Sequence, residues 1–181
     1  VIPVEYDESA CLKAAFEANE RVILPQVGLF ADGTAVAQIG EKPFQVIQLQ
    51  KSDNSGPIVE RDVVLVNTDE ICAAIKDTYD ECRSIVEPSG AMALAGIKKY
   101  VEQHGLENKN MVSIVCGANM NFDRLRYIAE RTELGERKEA IFAVTIPEEK
   151  GSFLNFCRAL QGRNITEFNY RASTSSAAQV F

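Results

Sequence analysis

The 181 residues carry a net charge of −7, with 46% hydrophobic and 25% charged side chains and a pI of about 4.9, ordinary proportions for a soluble globular protein. No cluster of Lys and Arg offers the basic face that a nucleic-acid binder needs. No apolar run reaches the roughly 18 residues that span a bilayer, and Val1-Ile2-Pro3-Val4-Glu5 lacks the basic start and small-residue cleavage site of a signal peptide.

Val1–Glu5 is an apolar, strand-like run. From Glu8 to about Asn19 the spacing of Leu12, Ala15 and Phe16 predicts a helix. Gln26–Val36 is a glycine-rich turn region holding Gly28-Leu29-Phe30-Ala31-Asp32-Gly33, and the polar Lys51–Arg61 stretch with Gly56-Pro57 reads as a surface loop. Asp62–Val66 is a predicted strand. Thr68 is the expected cap of a helix running to about Cys82, with Asp69 and Glu70 in its first turn where the dipole favours them. Pro88 suits the first turn of the next helix and Gly105 its end. Met111–Val115 is a predicted strand and Asn121–Glu133 a helix. This alternation implies an α/β domain with a largely parallel sheet.

After Gly135 comes a charged joint, Glu136-Arg137-Lys138-Glu139, and the pattern restarts with strand Ala140–Ile146, loop Pro147–Gly151, helix Ser152–Gln161 and strand Asn164–Tyr170. A domain boundary is therefore expected near 134–139: a first domain over 1–134, a linker over 135–138 and a second domain over 139–181. No solenoid-length repeat is present. The chain opens without methionine in one strand-like run and stops in another, Gln179-Val180-Phe181, so it is expected to be a piece of a longer protein. The five cysteines, Cys11, Cys72, Cys82, Cys116 and Cys157, form no CxxC pair. That argues for reduced thiols rather than a disulfide framework or zinc site.

Two stretches are placed to do chemistry. Cys116-Gly117-Ala118-Asn119-Met120-Asn121 follows a predicted strand and precedes a helix, and ligands of open α/β sheets bind at the carboxyl ends of strands. Equally, it could be a plain strand-to-helix turn in which the asparagines cap and Cys116 fills core. Glu87-Pro88-Ser89-Gly90-Ala91 sets a carboxylate before a Pro-started helix, whose N-terminus has free N–H groups. Its small residues also serve simple close packing. Pro147-Glu148-Glu149-Lys150-Gly151-Ser152 could present N–H groups to a carboxylate ligand or be a solvated loop. His104, the single histidine, reads as a surface residue at a helix end. No Walker loop, GxGxxG or histidine-rich metal set is present.

Six collinear stretches resemble one family. Gly28–Gly33 (GLFADG), Ile71–Asp77 (ICAAIKD), Glu87–Gly96 (EPSGAMALAG), Gly117–Arg126 (GANMNFDRLR), Val144–Phe153 (VTIPEEKGSF) and Asn164–Arg171 (NITEFNYR) are similar in order and spacing to biosynthetic threonine deaminase. The resemblance covers nearly the whole chain. It implies the later part of a pyridoxal-phosphate (PLP) domain of the tryptophan-synthase-β type, followed by an incomplete ACT-like α+β regulatory domain that stops after its second strand.

The activity so implied is conversion of L-threonine to 2-oxobutanoate and ammonia, the first step of isoleucine synthesis, with L-serine as a further substrate. Isoleucine and valine are the implied effectors and a homotetramer the implied assembly. The compartment would be the cytoplasm in a bacterium and the plastid in an alga or plant. The cofactor-binding residues carried over are Cys116, Gly117 and Glu87. No catalytic residue is, because the family's Schiff-base lysine and glycine-rich phosphate loop lie before the position matching Val1, and the isolated chain is expected to be inactive.

Where the family has serine beside the PLP pyridine nitrogen, this chain has Cys116, as some related dehydratases do. The Lys51–Arg61 loop is longer than usual, so the helix before it is expected to be shortened or altered. Relatives such as serine racemase hold a divalent metal with a Glu, a carbonyl and an Asp. Glu5 and Ser9 match the first two, but Cys11 replaces the Asp, so no metal is expected. The rival readings are a serine/threonine dehydratase or racemase of the same fold, and a non-catalytic amino-acid-binding regulatory fragment.

Overall fold

In a computed structural model describing residues 1–53, 62–136, 138–172 and 177–180, the first two strands run parallel. β1 (Val4–Tyr6) pairs with β2 (Val64–Val66) in the register Val4↔Val64 to Tyr6↔Val66. Parallel strands need a long crossover. Here it contains α1 (Cys11–Ala18), a short 3-10 turn at Asp32–Thr34 and α2 (Glu41–Asp53). Part of the Lys51–Arg61 stretch, residues 54–61, lies outside the described residues.

α3 (Thr68–Cys82) buries Ile71, Cys72, Ala74, Ile75 and Thr78, a stripe at helical spacing. Complete burial of a side chain such as Ile71 is worth about 1.5–3 kcal/mol. Its cap is Asn67 rather than Thr68. Asn67 Oδ1 accepts from Glu70 N at 2.9 Å while Glu70 Oε2 accepts from Asn67 N at 2.8 Å. The Asn-x-x-Glu spacing of a reciprocal box is what moves the boundary one residue back. α4 (Pro88–His104) begins at Pro88 and ends at Gly105, as its sequence predicts. α5 (Phe122–Gly135) is fastened to α3 by the buried Thr132 hydroxyl, which donates to the Cys72 or Ile128 carbonyl at 3.2 and 2.8 Å. The core joins Tyr6, Val64 and Val66 of the strands to Ile71, Met92 and Ile128 of the three helices.

Met111–Val115 is not a strand. Its residues are mostly apolar and β-branched, but Val112 and Ile114 are 92% and 79% exposed and the segment joins no ladder among the described residues. Composition marks a propensity; only a neighbouring strand supplies the hydrogen bonds that make the element.

Residues Val1–Lys138 form one compact unit and Glu139–Phe181 a second. In the second, β3 (Val144–Pro147), β4 (Tyr170–Ala172) and β5 (Ala177–Val180) make an antiparallel sheet of order β3-β5-β4, with α6 (Ser152–Ala159) following β3. This unit does not stop at its second strand, since β5 lies between the other two. The expected strand Asn164–Tyr170 is reduced to its last residue. Phe168 instead packs on Phe153 of α6, with ring centroids 4.9 Å apart.

Candidate functional site

Glu87, the residue before α4, is where the two chemically suggestive stretches meet. Its Oε2 accepts a hydrogen bond from Asn119 N at 3.1 Å, and its own N–H donates to the Gly117 carbonyl at 3.1 Å. Gly117 has φ +77°, a left-handed conformation, and a Cβ there would collide with the Glu87 carboxylate. Both constraints call for glycine. One residue into the first turn beyond Ser89, a Cβ on Gly90 would strike the Cys116 carbonyl oxygen. The small residues of Glu87–Ala91 thus do more than pack the helix interior: they let the start of α4 touch the main chain of the 116–119 turn.

A third segment closes on the same place. A Cβ on Gly33 would lie 2.9 Å from Ser89 Oγ and 3.1 Å from Glu87 Oε1. The loop carrying Gly33 is held to α5 by Arg124, which pairs with Asp32 at 3.6 Å and donates to the Leu29 carbonyl at 3.4 Å. Thr34 is tied to Met92 of α4 through an Oγ1 to Sδ hydrogen bond of 3.8 Å.

The predicted residues Glu87, Cys116 and Gly117 are therefore neighbours, with Cys116 exposed. Gly33, Ser89 and Asn119 join them. All three stood inside quoted sequence stretches, but only the fold reveals that they pack into one cluster. Ser89 Oγ is buried and has no hydrogen-bond partner among the described residues. The exposed Cys116, at the mouth of this cluster, suits the polar edge of a ring cofactor better than a metal ion. Among the described residues no group of three or more His, Cys, Asp or Glu side chains is placed to hold a metal.

Glu5 is committed elsewhere. Its oxygens accept from Leu12 N at 2.8 Å and Lys13 N at 2.9 Å, with the Cys11 thiol at 3.7 Å, so the carboxylate caps α1. Burial raises its pKa above the ordinary value, and the two N–H bonds only partly oppose that. The other residue of that trio, Ser9, is buried.

Two cavities of about 540 Å³ lie away from this cluster. One is in the first unit, bordered by Glu70, Lys99 and Glu136. The other is in the second unit, lined by Pro147, Gly151, Phe153 and Phe168, and so contains the Pro147–Ser152 loop. His104 stacks on Tyr100 at 4.0 Å at the exposed end of α4. No helix among the described residues is long and apolar enough to cross a membrane.

Residues 130–181 match the sequence model described as the C-terminal regulatory domain of threonine dehydratase. Over its whole length the chain is 51% identical to the biosynthetic L-threonine dehydratase of Salmonella typhimurium, covering 34% of that protein. It is 49% identical to the mitochondrial threonine dehydratase of Schizosaccharomyces pombe, covering 100% of this chain and 29% of that one. It thus spans about a third of the length of the curated relatives it matches. Among solved structures, the processed form of threonine deaminase isoform 2 from Solanum lycopersicum aligns with a TM-score of 0.62 and 42% identity, over 72% of this chain and 35% of that one. Residues 1–117, which carry the whole Glu87–Gly117 contact, match the model described as pyridoxal-phosphate dependent enzyme, and the chain belongs to that family.

Proposed function

We propose that the chain is the later part of the catalytic domain, and the start of the regulatory domain, of an L-threonine ammonia-lyase. The observation that carries this is the meeting of Glu87, Gly117 and Asn119 with Gly33 in one cluster, in a member of a PLP-dependent family. The division falls at the joint: residues 1–134 catalytic, 135–138 linking, 139–181 regulatory.

When bound, PLP supplies the electron sink for the carbon that loses its proton. The residues of this chain set how that sink behaves. Cys116 would hold the pyridine nitrogen with a thiol, which would not fix a positive charge there as a carboxylate would. A less electron-demanding ring would disfavour transamination and favour prompt departure of the β-hydroxyl. Gly117, at φ +77°, would let the 116–119 turn bring Cys116 to the ring's edge. Glu87, pinned by Asn119, sets the distance between the start of α4 and the 116–119 turn. Overall the substrate loses its α-proton and β-hydroxyl as water, and one water returns in hydrolysis, so threonine yields only 2-oxobutanoate and ammonia.

The 181-residue chain is inactive by itself in this reading. Elimination needs a lysine amine in covalent contact with the cofactor. Lys76, Lys98 and Lys99 are engaged instead with Glu136, Asp77 and Glu70 on the helices. Isoleucine and valine act through the second unit of the full-length tetramer, in the cytoplasm of a bacterium or the plastid of an alga or plant.

The test is to assay the full-length protein on L-threonine and L-serine, with the 181-residue chain in parallel. Preference for threonine, and no 2-oxobutanoate from the short chain, are expected. Preference for serine, or racemisation without elimination, overturns the substrate assignment. Within that assay, Cys116→Ser is tolerated, whereas Cys116→Asp slows elimination and raises transamination. Unchanged partitioning in Cys116→Asp reduces the residue to packing.

A further inference from the structure

The segment Met111–Val115 is anchored at its far end. A Cβ on Gly90 would strike the Cys116 carbonyl oxygen, and the Gly117 carbonyl accepts from Glu87 N at 3.1 Å. Yet the main chain of residues 111–115 hydrogen-bonds no other main chain among the described residues. Met111 and Ser113 are half-buried, whereas Val112 and Ile114 are 92% and 79% exposed. That is the burial of an extended segment with one face against the protein and the other bare. Single exposed apolar residues are ordinary. Two β-branched ones on one side of an anchored segment, over unpaired main chain, call for a neighbour.

The sheet of the first unit is short of strands as well. β1 and β2 form a parallel pair of three residues each, and parallel sheets are otherwise multi-stranded and covered. From β2 the chain passes through α3 and α4 before it reaches residue 111. Helical crossovers of this kind return a strand parallel to the one before. Length can supply the neighbour. The chain covers only 34% of the Salmonella typhimurium relative, and the pyridoxal-phosphate family match, residues 1–117, includes this segment.

Resting on the reading of this chain as part of a longer catalytic domain, we infer that Met111–Val115 is a docking edge for a parallel strand supplied by the part of the protein outside residues 1–181. That strand pairs the free N–H and C=O groups of the segment, and its own domain covers Val112 and Ile114.

The test uses the full-length protein. Hydrogen exchange read by mass spectrometry should show the amides of residues 112–115 slowed about a hundredfold or more against an unstructured peptide. A photoreactive amino acid in place of Val112 should attach to a peptide from outside residues 1–181. In a mixture of isotopically light and heavy protein, that peptide should come from the same copy. Position 114, on the same face, serves if the substitution at Val112 does not fold. Unstructured exchange rates overturn the inference. So does attachment only within residues 1–181, to another copy or to a separate protein. Threonine turnover by the same preparation is read separately. Protection and attachment without turnover fail the reading of the activity and leave the docked strand standing; turnover without them does the reverse.

Discussion

Gly90 and Cys116 touch through the main chain: a methyl group on Gly90 would land on the Cys116 carbonyl oxygen. The clash is with backbone, so no side-chain rotation relieves it. Gly90→Ala must push the 116–119 turn away from α4, and overpacking of this kind costs about 1–3 kcal/mol. The expected result is a lowered urea midpoint for the chain, together with weaker PLP binding in the full-length protein. A midpoint equal to wild type would show that the turn and the helix are not held against each other.

This contact also shows how far the sequence could be read. The helices at Pro88 and Phe122 were legible because their start signals are local: a proline at the first turn, an asparagine before an amphipathic run. The candidate residues Glu87, Cys116 and Gly117 were legible as two separate stretches, each with a bland alternative. What local patterns do not carry is the approach of residues 33, 89 and 119 to them, because those contacts cross long stretches of chain. The apolar, β-branched run at Met111–Val115 misled for the converse reason: it reports local propensity, whereas strand formation depends on a neighbour. At Asn164–Tyr170 the apolar residues serve the aromatic cluster around Phe153 rather than a ladder.

Glu5 caps α1 from a distance, one oxygen on Leu12 N and the other on Lys13 N. Glutamine keeps the shape but offers one acceptor, and turns an amide donor towards the second N–H. Glu5→Gln should destabilise the chain by about 1 kcal/mol, the usual worth of a cap. Because burial raises the folded carboxyl above 4.5, its contribution is largest below that pH and shrinks as pH rises through the folded value. The wild type should therefore lose stability as pH rises from 4.5 through the folded value, a loss that Glu5→Gln, with no proton to release there, should not show. A difference that widens with pH would contradict the burial.

Glu136 ends the first unit with a carboxylate shared between Lys76, at 2.8 Å, and Lys138. Hydrogen bonds from Lys138 and then Lys76 hold its carboxyl down at about 2, against an ordinary 4.5. A depressed carboxyl contributes stability above its unfolded value and loses it as pH falls through the folded one. The loss should thus fall between pH 4.5 and about 2. The bonds that Lys76 donates to Glu136 and Asp80 push it up to about 12, so its share is present below 10.5 and disappears as pH rises through about 12. Glu136→Gln should flatten the acid limb of thermal stability measured across this range, and added salt should flatten the wild type likewise. An acid limb unchanged by the substitution would mean that the pairs carry no stability.

The cysteines divide by environment. Burial, with the Glu5 charge second, pushes the Cys11 thiol up to about 11. Burial, with the Asp69 charge second, pushes Cys72 up to about 12. Both are packed out of solvent, whereas Cys82 and Cys116 are exposed and Cys157 is half-buried. Thiolates are the species that react, so a maleimide at mildly alkaline pH should label Cys82 and Cys116 first and Cys157 more slowly. Cys11 and Cys72 should be spared until denaturant is added. Site-resolved mass spectrometry of the intact chain reads this directly, and labelling of Cys72 at the rate of Cys82 would break the α3 packing described above. In the full-length protein the same experiment locates the cofactor. PLP placed against Cys116 should slow labelling there while leaving Cys82, at the far end of α3, at its original rate. Equal rates at Cys116 with and without PLP would remove the thiol from the cofactor's edge.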